Sequence, residues 1–137
     1  MPIENEVLSV QRIVEFGNGS FKLVLSDQSE YDLLANSREV LELSYGKFIS
    51  PVTLNQIKSE SSYMVIYQKA LEFLSRREHS HQELKKKLRA RFHNYDIPIE
   101  RCLQEMESKQ YQSDERFIKS FIESRLSNRR NGPYRIL

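Results

Sequence analysis

A chain of 137 residues with 39% hydrophobic and 29% charged side chains has room for one modest domain, or for a small core with an appendage, and is too apolar to be disordered. No run approaches the roughly 18 apolar residues of a membrane span, the acidic N-terminus has no signal-peptide pattern, and one cysteine, Cys102, excludes an internal disulfide framework. The net charge of +2 divides unevenly, with 5 basic against 8 acidic side chains in residues 1–59 (−3) and 16 against 11 in 60–137 (+5), so the expectation is a cytoplasmic protein whose two halves do different jobs.

Residues 1–50 read as a strand-rich region. Val10 to Val14 is rich in β-formers, and Gly17-Asn18-Gly19-Ser20 supplies a hairpin turn. Phe21, Leu23 and Leu25 then alternate with Lys22, Val24 and Ser26 at the period of a strand. Ser26-Asp27-Gln28-Ser29 is a second turn, Tyr31 to Leu34 a third strand, and Ser37 to Leu43 a short helix broken by Gly46. Residues 51–112 begin with Ser50-Pro51, a cap followed by proline at the first helical position. The helix from Pro51 to Arg77 carries a possible break at Ser59 to Ser62, and then an apolar stripe of Tyr63, Ile66, Tyr67, Ala70, Phe73 and Leu74.

Ser80-His81-Gln82-Glu83 is a capping box that opens a helix with Leu84, Leu88 and Phe92 on one side. Pro98 opens the next helix, with Ile99, Cys102, Leu103 and Met106 inward. Residues 113–137 start with Ser113 as a cap, followed by Phe117, Ile118, Phe121, Ile122 and Leu126 as an apolar side. Gly132-Pro133 then marks a stop and the start of another helix. A shift of 52 residues lays Ile66 on Ile118, Leu74 on Leu126, Ser80 on Gly132 and Leu84 on Ile136, the pattern of a helical unit that starts twice. The second unit is cut short at Leu137, which suggests a truncated chain. The fold class expected is α+β, mainly α: a small antiparallel β region, then tandem three-helix repeats with the second incomplete.

Catalytic chemistry finds no foothold. Four glycines form no phosphate cradle, Cys102 reads as a small core residue, and nothing pairs a nucleophile with a base. His79, His81 and His93 lack metal-ligand spacing and read as solvated polar residues. Neither a metal nor another cofactor is expected. Tyr63, Tyr67, Tyr95 and Tyr111 follow the apolar period or sit in turns, and read as core and corner residues rather than stacking platforms. The strongest signal is cationic: Arg76 and Arg77, then Lys85, Lys86, Lys87, Arg89 and Arg91, with Arg129 and Arg130 as a second patch. Such a ridge suits phosphates or an acidic protein surface, against the plainer reading of a solubilising helix face.

The run Ala70-Leu71-Glu72-Phe73-Leu74-Ser75-Arg76-Arg77-Glu78-His79-Ser80-His81-Gln82-Glu83-Leu84-Lys85-Lys86-Lys87-Leu88 resembles the first helical repeat of the RecX family, bacterial regulators of the recombinase RecA. Tyr111-Gln112-Ser113-Asp114-Glu115-Arg116-Phe117 is similar to the start of that family's second repeat, and Gly132-Pro133-Tyr134-Arg135-Ile136 to its Gly-x-x-Arg-Ile segment, so the resemblance covers about residues 63–137. It implies a non-enzymatic, monomeric modulator that lies in the groove of the RecA–DNA filament, mostly inhibits it, and in some members binds single- or double-stranded DNA. On that basis the basic residues just named make contact, while Ser80, Glu83, Leu84, Leu88, Asp114, Phe117 and Gly132 hold the fold. The alternative is a stand-alone helical DNA-binding module.

Overall fold

The computed structural model describes the backbone of residues 7–136 and the side chains of 7–127. The chain forms two compact units, Met1–Val65 and Ile66–Leu137.

The first unit holds a four-stranded antiparallel sheet of β1 (Leu8–Phe16), β2 (Ser20–Leu25), β3 (Glu30–Leu34) and β4 (Phe48–Ile49), in the order β3-β2-β1-β4. Gly19 takes φ +84°, the left-handed conformation the first hairpin needs and glycine adopts at little cost. In the second hairpin the Asp27 carboxylate accepts from the Ser29 amide at 3.0 Å, and Gln28 takes the positive φ. Phe21, Leu23 and Leu25 face a core shared with Val10, Ile13, Leu33, Leu41, Leu43, Ile49 and Ile57. Val10 and Ile13 are three apart and would point to opposite faces of a regular strand. A bulge between Val10 and Arg12 restores the phase, so both are buried. The fourth strand was not expected, because two residues are too few to show an alternation. A short helix, α1, spans Ser37–Val40.

Helix α2 runs from Pro51 to Arg76. The Ser50 hydroxyl accepts from the Thr53 amide at 3.1 Å, as the cap predicts. Ser59 to Ser62 do not interrupt the helix; serine costs only tenths of a kcal/mol relative to alanine within one (~0.5).

The second unit contains the end of α2, then α3 (His81–Arg91), α4 (Asp96–Ser108) and α5 (Asp114–Ile136). Ile66, Tyr67, Ala70, Leu84, Leu88, Ile99, Cys102, Leu103 and Met106 are buried, the helical periodicity expected of them. Phe92 ends the α3 stripe half-buried, and Tyr95 and Tyr111 are exposed corner residues. Helix α4 starts two residues before Pro98, which occupies the first turn, where its missing N–H breaks no ladder bond. The stop expected at Gly132-Pro133 is overturned, since α5 continues to Ile136. Proline inside a helix forfeits one ladder bond and crowds the carbonyl four residues back, at a cost of about 3 kcal/mol, but it can kink a helix without ending it. The apolar side of α5 also differs from expectation. Phe117 is half-buried, but Ile118, Phe121, Ile122 and Leu126 are each about half exposed, at 48–55%.

Candidate interaction face

The candidate face is built on α3, and its geometry begins at the cap. Ser80 adopts an extended conformation, its hydroxyl accepts from the Glu83 amide at 3.1 Å, and the Glu83 carboxylate accepts from the Ser80 amide at 3.3 Å. The box is therefore formed in full. Both carboxylate oxygens of Glu83 also take the Arg77 guanidinium at 3.2 Å, and that pairing holds the carboxyl below the usual glutamate range. Leu84 and Leu88 are fully buried beneath the helix. Their stripe fixes which way every α3 cation points.

Those cations do not form one ridge. Lys85 pairs with Glu100 at 2.7 Å and Arg89 with Asp96 at 3.3 Å, so both lean toward α4. With Gln82 and Lys86 they line a hollow of about 470 Å³. Lys86 is exposed and has no ion-pair partner among the described residues. Lys87 leans the other way, toward α2: its ammonium lies 5.1 Å from the centre of the Phe73 ring and 2.8 Å from His79 Nε2. Arg91 follows Lys87 one turn later, near Glu72. The expected single ridge is thus two flanks separated by the Leu84–Leu88 stripe, because a run of adjacent cations on a helix spreads around its circumference. Arg76, the last residue of α2, pairs with Glu72 at 2.8 Å and Arg77, just beyond it, with Glu83 at 3.2 Å, and both side chains stay half or more exposed. Arg129, Arg130 and Gly132 lie outside the residues whose side chains are described.

Under the start of α3 sits a polar junction of which sequence reasoning named only Asp114. Asp114, the first residue of α5, accepts from the His81 backbone amide at 2.7 Å and from Gln112 Nε2 at 3.0 Å. Gln112 is 3% exposed and also donates to the His79 carbonyl at 3.3 Å. Arg116 donates to Glu78 at 3.0 Å and to the Gln110 carbonyl at 2.7 Å. The Asp114 expected to hold the fold therefore ties the N-terminus of α3 to that of α5. Ser113 caps α5 through the Arg116 amide at 3.2 Å, as the sequence predicts.

His79 is a second correction. It was expected to be solvated, yet it is 1% exposed, with Nδ1 at 3.0 Å from the Arg77 carbonyl. Burial pushes its pKa below the usual histidine value, and the neighbouring Lys87 and Arg77 charges act the same way. The sole sequence hint was its place one residue before a strong cap. Tyr67 is buried with its hydroxyl 2.8 Å from the Lys109 ammonium, a core residue with a satisfied polar end. No helix among the described residues is long and apolar enough to cross a membrane.

Residues 67–97 match the family model for the first three-helix domain of RecX. The chain is also similar to a solved structure titled as that of regulatory protein RecX, with a TM-score of 0.72 at 15% identity, over 85% of this chain and 58% of the other. At that identity the likeness is one of fold, a mainly helical protein with a small N-terminal antiparallel sheet, and the chain spans little more than half of the other's length. No curated protein matches the chain.

Proposed function

We propose that this protein, whose residues 67–97 match the model for the first three-helix domain of RecX, is a non-enzymatic, cytoplasmic regulator of RecA in DNA repair, recombination and the SOS response. It docks as a monomer on the RecA–DNA filament and lowers recombinase activity. The observation that carries this reading is the coincidence of the matched segment, 67–97, with the helix that presents Lys85, Lys86 and Arg89 around one hollow. A filament coated in phosphate and acidic protein groups suits such a face. Lys87 and Arg91 form the second flank, and tandem three-helix units are how such a protein would follow a helical track.

The deciding experiment is co-sedimentation of the purified chain with RecA filaments on single-stranded DNA, against bare DNA and free RecA. Preferential recovery with the filament supports the proposal. Equal recovery with bare DNA favours the other reading, a stand-alone DNA-binding module, which the capped and cation-bearing α3 also suits. Absence from both pellets overturns the filament reading for this chain.

A further inference from the structure

His79 and Lys87 meet in an arrangement that specifies one protonation state. A backbone carbonyl can only accept a hydrogen bond, so the Arg77 oxygen, 3.0 Å from Nδ1, requires a proton on that nitrogen. An ammonium can only donate, so Lys87 Nζ, 2.8 Å from Nε2, requires a bare lone pair there. Together the two contacts define a neutral ring in its Nδ1–H tautomer. A second proton, on Nε2, removes the acceptor and sets two like charges in contact.

The surrounding groups offer a protonated ring little relief. From α2, the Phe73 ring centre lies 6.0 Å away, and Lys69 stands over that same ring at 5.6 Å. Glu72 is engaged by Lys69 and Arg76. On the histidine's own segment Arg77 is paired with Glu83 of α3, and Glu78 with Arg116 of α5. Gln112 holds the His79 backbone in place from below. Glu72, Glu78 and Glu83 are each paired with an arginine or lysine, with Glu78 Oε2 left buried and without a partner among the described residues, while Asp114 accepts from the His81 amide and Gln112. Lys87 can move, because its stem is long, flexible and partly exposed.

We propose that His79 is an acid-sensitive latch on Lys87: the neutral ring holds the ammonium against Phe73, and the protonated ring releases it to solvent. The latch would withdraw one cation from the α2-side flank of α3 near neutrality and free it under mild acid. Burial and the adjacent cations, which lower the ring's pKa, act in the same sense.

Nuclear magnetic resonance of the whole chain, with labelled histidine and lysine, tests this. The expected result is an Nδ1–H tautomer for neutral His79 and a titration midpoint below 6.5. Lys87 side-chain signals should be displaced by the Phe73 ring current and should lose that displacement across the same midpoint. Lys87→Met should move the His79 midpoint upward, and Lys87→Gln provides a second variant if the first disturbs folding. An Nε2–H tautomer, a midpoint unmoved by both substitutions, or a Lys87 ring-current shift that persists through the titration would each overturn the latch.

Discussion

At the scale of single residues, the α3 cap and the junction beneath it make separable demands. Ser80→Ala leaves the Glu83 amide without its acceptor, and the expected loss is about 1 kcal/mol of unfolding free energy in urea denaturation. Asp114→Ala removes the acceptor for both the His81 amide and Gln112, and should cost about 1–3 kcal/mol because Gln112 is buried. Asp114→Asn, which keeps an oxygen at that position, should recover much of it. If the asparagine variant is as weak as alanine, the charge rather than the acceptor is what matters. Ser80 and Glu83 were legible because the box is a local pattern of four residues. Gln112 and His79 were not. Their burial depends on segments more than thirty positions apart meeting, and beyond the place of His79 just before the cap their immediate neighbours do not encode that contact.

At the scale of elements, helix periodicity located α2, α3 and α4 and their inward residues, but a linear count of cations misjudged what α3 presents. Five basic residues within seven positions cover most of a helix circumference. Burial of Leu84 and Leu88 then divides them, and α4 supplies Glu100 and Asp96 to one side. Reversing charge at Lys86 and Arg89 should weaken filament binding with little change in thermal stability, since the Arg89–Asp96 pair is exposed on both sides and such pairs contribute about 0–1 kcal/mol. Lys86→Glu alone should also flatten the log–log dependence of affinity on salt by about one unit if it contacts a phosphate. Unchanged affinity in the double variant would remove this flank from the interface. Within the sheet, β2 was legible from its alternation, whereas β4 exists only because β1 offers it an edge.

At the scale of the whole molecule, the titratable groups set a directional response to acid. Burial lowers the folded pKa of His79, so the stability it contributes is complete above the unfolded value of 6.5 and declines as pH falls below it. Hydrogen bonds from Ser29, Arg77 and Lys85 lower the carboxyls of Asp27, Glu83 and Glu100, whose contributions are present above the unfolded values of 3.8 and 4.5 and are lost as pH falls through the folded ones. Urea midpoints should therefore begin to fall below about pH 6.5 and drop again below about pH 4.5. A midpoint flat from pH 7.5 to 5 would show that His79 takes up its proton without cost. Cys102 carries a different consequence. Its thiol is fully buried in α4, and that burial pushes its pKa up to about 12, so the folded protein keeps it from any alkylating reagent. The lone thiol is thus a native clock for the helical unit: each labelling event records one moment when α4 opened, and the labelling rate in dilute urea reads the frequency of those openings.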